Sequence, residues 1–68
     1  MYPNLRAELA RRNLTLDDVR VCLGKESVSA VSSKMRGVSP FTFDEAIKIK
    51  NDLLKTDIPL EILFERAG

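Results

Sequence analysis

Thr15-Leu16-Asp17-Asp18-Val19-Arg20-Val21-Cys22-Leu23-Gly24-Lys25-Glu26-Ser27-Val28-Ser29-Ala30-Val31-Ser32-Ser33-Lys34-Met35-Arg36-Gly37 reads as two short helices and the turn between them. Thr15 is an N-cap, Asp17 and Asp18 sit in the first turn where the helix dipole favours acids, and Gly24 supplies a stop after Leu23. Leu16, Val19 and Leu23 form the apolar stripe of this helix. Lys25-Glu26-Ser27 follows as a tight turn, with Ser27 placed to cap a second helix ending at Gly37. Its one strong apolar pair is Val31 and Met35, at i and i+4. The rest of that helix is rich in short polar side chains, with cations near its C-terminal end. Serine is an indifferent helix former, so the run is not there for helix stability. Short hydroxyl side chains let a helix approach a groove closely and hydrogen-bond phosphates or base edges. The plainer reading is a solvated helix face with no partner.

Outward from this segment the helical cassettes continue. On the N-terminal side Asn4 is a candidate N-cap, and Leu5, Leu9 and Ala10 share a helix face running to about Arg12, with Arg6, Glu8 and Arg11 outside. Asn13 ends that helix in a left-handed turn. On the C-terminal side, Thr42 and Glu45 make a capping box, and Phe41 is placed to pack on Ala46 as a hydrophobic staple. Ala46, Ile47, Ile49, Lys50, Leu53 and Leu54 carry the helix to about Lys55. Asp57 is the expected cap of a last short helix with Pro59 in its first turn. No segment alternates with period two beyond a few residues, so no sheet is expected. The fold class is all-α, a compact bundle of about five short helices in one domain, residues 1–68. The expected core is Leu5, Leu9, Val19, Leu23, Val31, Met35, Ala46, Ile47, Ile49, Leu53, Leu63 and Phe64.

Size and composition exclude several functions. A chain of 68 residues hides only about 60% of its unfolded surface and has no room for a large pocket. With one Cys and no His, neither an internal disulfide nor a usual zinc site is possible, and the common general base near neutral pH is missing. Asp17 and Asp18 are adjacent and point in different directions on a helix, so they cannot pair as acid and base. The serines lack an activating pattern, and the three glycines at 24, 37 and 68 make no phosphate loop. No enzyme activity, catalytic residue, metal, cofactor or small-molecule substrate is expected. Cys22 beside the apolar stripe reads as a small packing residue. No apolar run approaches the roughly 20 residues of a membrane span, and Met1-Tyr2-Pro3-Asn4 lacks a signal pattern, so the expected location is cytoplasmic.

The net charge of +1 conceals an asymmetry. From Met1 to Gly37 seven cationic side chains stand against four acidic ones, a net +3; from Val38 to Gly68 four stand against six, a net −2. The positive half contains the serine-rich helix, as a phosphate-facing surface requires.

Leu5-Arg6, Asn13-Leu14-Thr15, Val19, Leu23-Gly24, Ser27, Val31-Ser32 and Arg36-Gly37, in this order and spacing, resemble the helix-turn-helix domain of the phage lambda repressor and Cro family, also called the XRE family. Ser39-Pro40-Phe41-Thr42-Phe43-Asp44-Glu45-Ala46 is similar to the connection in its small phage and bacterial members. The resemblance covers roughly residues 4 to 65, with the motif at about 15–37. It implies that residues 27–36 form a recognition helix that enters the major groove of double-stranded DNA. Val28, Ser29, Ser32 and Ser33 would then face base edges, and Thr15, Lys25, Ser27, Lys34, Arg36 and Ser39 would contact phosphates. Val31 would be the buried anchor.

Three positions depart from the family pattern. Leu16 stands where Gln is common, Arg20 stands where a small Ala is common, and the turn from Gly24 to Ser27 is one residue longer than usual. A long Arg at that place must either escape outward or open the angle between the helices. The function expected is a sequence-specific DNA-binding transcription regulator, such as a repressor of phage or prophage type, acting as a homodimer on two half-sites about one helical turn apart. Ile58, Leu60, Ile62 and Phe64 are either its dimer contact or simple packing onto the core. The alternative is a helix-turn-helix scaffold that binds another protein and modulates a host or phage regulator, a reading favoured by Leu16, Arg20 and the near-neutral charge.

Overall fold

Each connection between successive helices has a left-handed residue as its first or second member: Asn13 at φ 56°, Gly24 at 69°, Gly37 at 80° and Lys55 at 51°. A computed structural model describes residues 1–66; the expected end of the domain, residues 67 and 68, lies outside the described residues. Among these there are five helices and no strand, which is the all-α class expected: α1 (Pro3–Arg11), α2 (Leu16–Leu23), α3 (Val28–Met35), α4 and α5 (Leu60–Leu63). The fourth, α4, begins as an α-helix over Phe43–Lys48 and continues as a π-helix over Ile49–Leu54.

The left-handed residues end the helices by a shared device. Leu14 N–H donates to Leu9 O at 2.9 Å, Lys25 N–H to Arg20 O at 3.0 Å, and Val38 N–H to Ser33 O at 2.9 Å. Each is the long-range bond of a Schellman motif, which occupies an orphan carbonyl of the last turn. After the wider π-turn the bond reaches one residue further, from Thr56 N–H to Lys50 O at 3.2 Å.

Two helix starts are capping boxes. Thr42 Oγ1 accepts from Glu45 N–H at 3.2 Å while Glu45 Oε1 accepts from Thr42 N–H at 2.9 Å. Thr15 Oγ1 accepts from Asp18 N–H at 3.3 Å and Asp18 Oδ2 from Thr15 N–H at 2.7 Å, an Asp completing the box where Glu is usual. Ser27 holds the extended backbone of an N-cap, but its hydroxyl makes no capping bond. The other starts differ from expectation. Helix α1 begins at Pro3, whose fixed φ suits the first helical position, and Tyr2 rather than Asn4 precedes it. Asn4 Nδ2 instead donates across the molecule to Ile62 O at 2.8 Å, tying α1 to α5. Asp57 does not cap α5: Pro59, extended at ψ 146°, takes that place, so the helix is a single turn.

The core gathers Leu5, Leu9, Val19, Leu23, Val31, Met35, Ile49 and Leu63, all expected, together with Tyr2 and Leu54. Ala46, Ile47, Leu53 and Phe64 are only half-buried. Leu54 replaces Leu53 because in a π-helix residues five apart share a face, which sets Leu54 in line with Ile49. Tyr2, Phe41 and Phe64 meet edge to face, with ring centroids 5.3–6.0 Å apart. Phe41 is thus held by the rings of Tyr2 and Phe64, and it lines one cleft together with Ala46. Glu8, expected outside, is buried because Arg11 and Arg12, three and four residues on, fold over its carboxylate. Their hydrogen bonds and charge hold its pKa below the usual carboxylate value, with the Arg12 bond contributing most against the cost of burial.

Helix α2 is central, packed against α3 and against both parts of α4. No helix among the described residues is long and apolar enough to cross a membrane.

Candidate nucleic-acid interface

Helix α3 is held from one side. Val31 and Met35 are fully buried against the core that Val19 and Leu23 of α2 supply, and the opposite face is left outward. Val28 is 39% exposed, Ser29 and Arg36 are exposed, and Ser32 and Ser33 are half-buried. Ser29, Ser33 and Arg36 turn away from Val31 and Met35, whereas Val28 and Ser32, each three residues before one of that pair, sit at the edge of the anchored face. The four residues matched to base contacts therefore divide between the outward face, with Ser29 and Ser33, and its edge, with Val28 and Ser32; Val28 and Ser29 are the more open pair.

The residues matched to phosphate contacts do not form a common set. Ser27 is exposed beside the N-terminal end of α3, and Ser39 is half-buried with its N–H on Ser33 O at 3.3 Å. Thr15 is exposed, but its hydroxyl is occupied by Asp18, donating to Oδ2 at 3.1 Å and accepting the Asp18 N–H. Arg36 joins none of the ion pairs among the described residues. Lys25 and Lys34 converge on one carboxylate, that of Glu45 in α4: Lys25 Nζ lies 2.7 Å from Oε2 and Lys34 Nζ 3.0 Å from Oε1. Lys34 also donates to Pro40 O at 2.9 Å and stands 5.9 Å from the centre of the Phe41 ring.

Glu45 is the residue that inspection of the sequence undervalues. Its capping-box spacing with Thr42 is visible, whereas its lysine partners lie 11 and 20 positions upstream and only the fold brings them to it. Burial alone would raise its pKa, but the bonds from Lys25, from the Thr42 N–H and from Lys34 outweigh it and hold the carboxyl at about 2. It is an anion at every working pH.

Arg20 resolves two of the departures from the family pattern together. Its side chain neither enters the space between the helices nor points freely into water. Nε donates to Asp17 Oδ1 at 2.7 Å and Nη1 to Lys25 O at 3.2 Å. The guanidinium lies along the turn and holds the backbone at Lys25, within the segment that is one residue longer than usual. Leu16 is half-buried and packs on the core as part of the α2 stripe.

Cys22 is half-buried, with Sγ 3.7 Å from Lys48 O. Burial and the nearby Asp52 raise its thiol pKa, which leaves it protonated and unreactive. Among the described residues no cluster of His, Cys, Asp and Glu is fit to hold a metal ion. The chain matches no protein-family model, no curated protein and no solved structure.

Proposed function

We propose that this chain is a sequence-specific double-stranded DNA-binding regulator of the phage repressor type, with α2, the turn and α3 as a helix-turn-helix and α3 as the helix that enters the major groove. The observation that carries the reading is the one-sided anchoring of α3. Val31 and Met35 fix it to the core, while its outer side offers short side chains that permit close approach to base edges. Val28 suits a thymine methyl, and the serines suit donor or acceptor atoms of any base. Arg36, exposed at the end of α3, is the cation best placed for phosphate, with Ser27 at the other end.

Two copies on half-sites one turn apart would supply the contact area that a single eight-residue helix lacks. Ile58 and Phe64 pack against the core, which leaves less of the C-terminal segment for a partner. Ile62, at 48% exposure, Phe43, at 70%, and Leu60, which borders the same cleft as Phe43, are apolar groups available to a dimer contact, as are the exposed Val21 and Val38.

A protein-binding scaffold remains the second reading, and one observation favours it: Lys25, Lys34 and Arg20 are already engaged by carboxylates. The test is anisotropy with a labelled random-sequence duplex pool over a salt series. DNA binding predicts an affinity that falls steeply with salt, and Arg36→Ala should weaken it on all sequences alike while reducing the salt slope by about 1. Absence of duplex binding at about 50 mM salt by a folded protein would reject the DNA reading in favour of the scaffold.

A further inference from the structure

The two lysines on Glu45 are not equivalent. Lys34 has three partners, namely Glu45, Pro40 O and the Phe41 ring, and its side chain is only 13% exposed. It is fixed where it is. Lys25 has Glu45 as its ion-pair partner among the described residues, its side chain is 34% exposed, and it sits in the turn immediately before α3. Its backbone is held separately by Arg20 through the carbonyl, so the ammonium can change partner without the turn moving.

We propose that Glu45 acts as an internal competitor for DNA phosphate at Lys25. In the free protein the carboxylate occupies the ammonium, and a phosphate arriving at the turn has to displace it. This inference rests on the DNA-binding reading and adds to it the residue that limits its electrostatic share. A surface ion pair is a weak bond, so exchange is feasible, and the cost of breaking it is deducted from every DNA encounter that engages Lys25. Non-specific binding is almost wholly electrostatic, so the competition bears most heavily on it.

Glu45→Gln provides the test, because Gln still completes the capping box with Thr42 while losing the charge. Asp44→Asn is the control: Asp44 is exposed in the same turn and forms none of the ion pairs among the described residues, so it makes the same change in net charge without freeing a lysine. Binding of a random duplex pool is measured for wild type and both variants over a salt series. Because the wild type makes the same phosphate contact after exchange, the salt slope stays nearly unchanged and the gain is the cost of breaking the pair, up to about fivefold tighter binding. Glu45→Gln should show this gain, Asp44→Asn should not, and adding Lys25→Ala to Glu45→Gln should abolish it.

The inference is overturned if the two single variants bind equally tightly, or if the gain survives Lys25→Ala. Binding by wild type with no gain in Glu45→Gln removes this inference and leaves the DNA reading intact, whereas no binding by any of the proteins removes both. A measurement on the wild type covers poor folding of the variant. On titration with duplex, the Glu45 carboxyl carbon and the Lys25 ammonium resonances should shift while the Lys34 ammonium does not; an unmoved Glu45 carboxyl overturns the inference.

Discussion

Replacing Glu45 with alanine removes one acceptor from three donors: the Thr42 N–H at 2.9 Å, Lys34 Nζ at 3.0 Å and Lys25 Nζ at 2.7 Å. Thr42 keeps its own half of the cap, so the loss at the helix start is one hydrogen bond, about 1 kcal/mol. Lys25 is open to water, and its share is below about 1 kcal/mol. Lys34 retains Pro40 O and the Phe41 ring but becomes a largely buried charge without a counter-charge, a cost of about 1–2 kcal/mol. Together these come to about 3 kcal/mol, and for a domain of this size a fall in Tm of about 10–20 °C.

The pH dependence gives an independent check on that figure. Glu45 titrates at about 2 in the folded protein against an ordinary value of 4.5. A depressed carboxyl stabilises fully above its unfolded pKa and loses that contribution as pH falls through the folded one. The window is therefore from about 4.5 down to about 2. The full difference corresponds to about 3 kcal/mol, reduced to about 1–3 kcal/mol by solvent screening on the Lys25 side. Urea unfolding of wild type and Glu45→Gln, followed by helix circular dichroism from neutral pH downward, measures the gap between them. The gap should be constant above about 4.5 and close toward 2. A gap independent of pH, or an alanine variant as stable as wild type, would refute the reasoning.

Other predictions address the fold. Leu54→Ala should cost about 2–5 kcal/mol in chemical unfolding and Leu53→Ala less than half as much, since the π-turn buries the former; equal losses would argue for a regular α-helix there. Gly24→Ala forces a side chain into the left-handed region with open space around it and should cost about 1 kcal/mol. Gly37→Ala should cost about the same, because the atom its Cβ would meet at 2.7 Å is Met1 Cε, the flexible end of an exposed side chain that can move aside. Arg20→Ala should speed amide exchange across Lys25–Ser27 while lowering stability by less than about 1 kcal/mol.

The starts of α1 and α5 were not legible, because Pro3 and Pro59 set them in place of Asn4 and Asp57. The helix ends at Asn13, Gly24 and Gly37 and the starts at Thr15 and Thr42 were legible, since each acts through backbone chemistry confined to one turn. Core residues with helical spacing were legible for the same reason. Burial of Glu8 and Glu45 was not, because charged residues ordinarily face water and a clamp such as Lys25 with Lys34 is made by tertiary structure. Tyr2 was missed as a core residue since its partners, Phe41 and Phe64, are distant in the chain. The outer side of α3 could be read directly, as Val31 and Met35 fix which face turns inward. The phosphate set could not, because a count of cations does not reveal which are already paired.

The most direct test of the central claim is an amide chemical-shift titration of the wild-type protein with a random-sequence duplex pool at low salt. The account predicts shifts concentrated at Ser27, Val28, Ser29, Ser32, Ser33 and Arg36 that reverse when salt is raised. No shifts, or shifts centred on Phe43 and Ile62 with α3 unmoved, would contradict it.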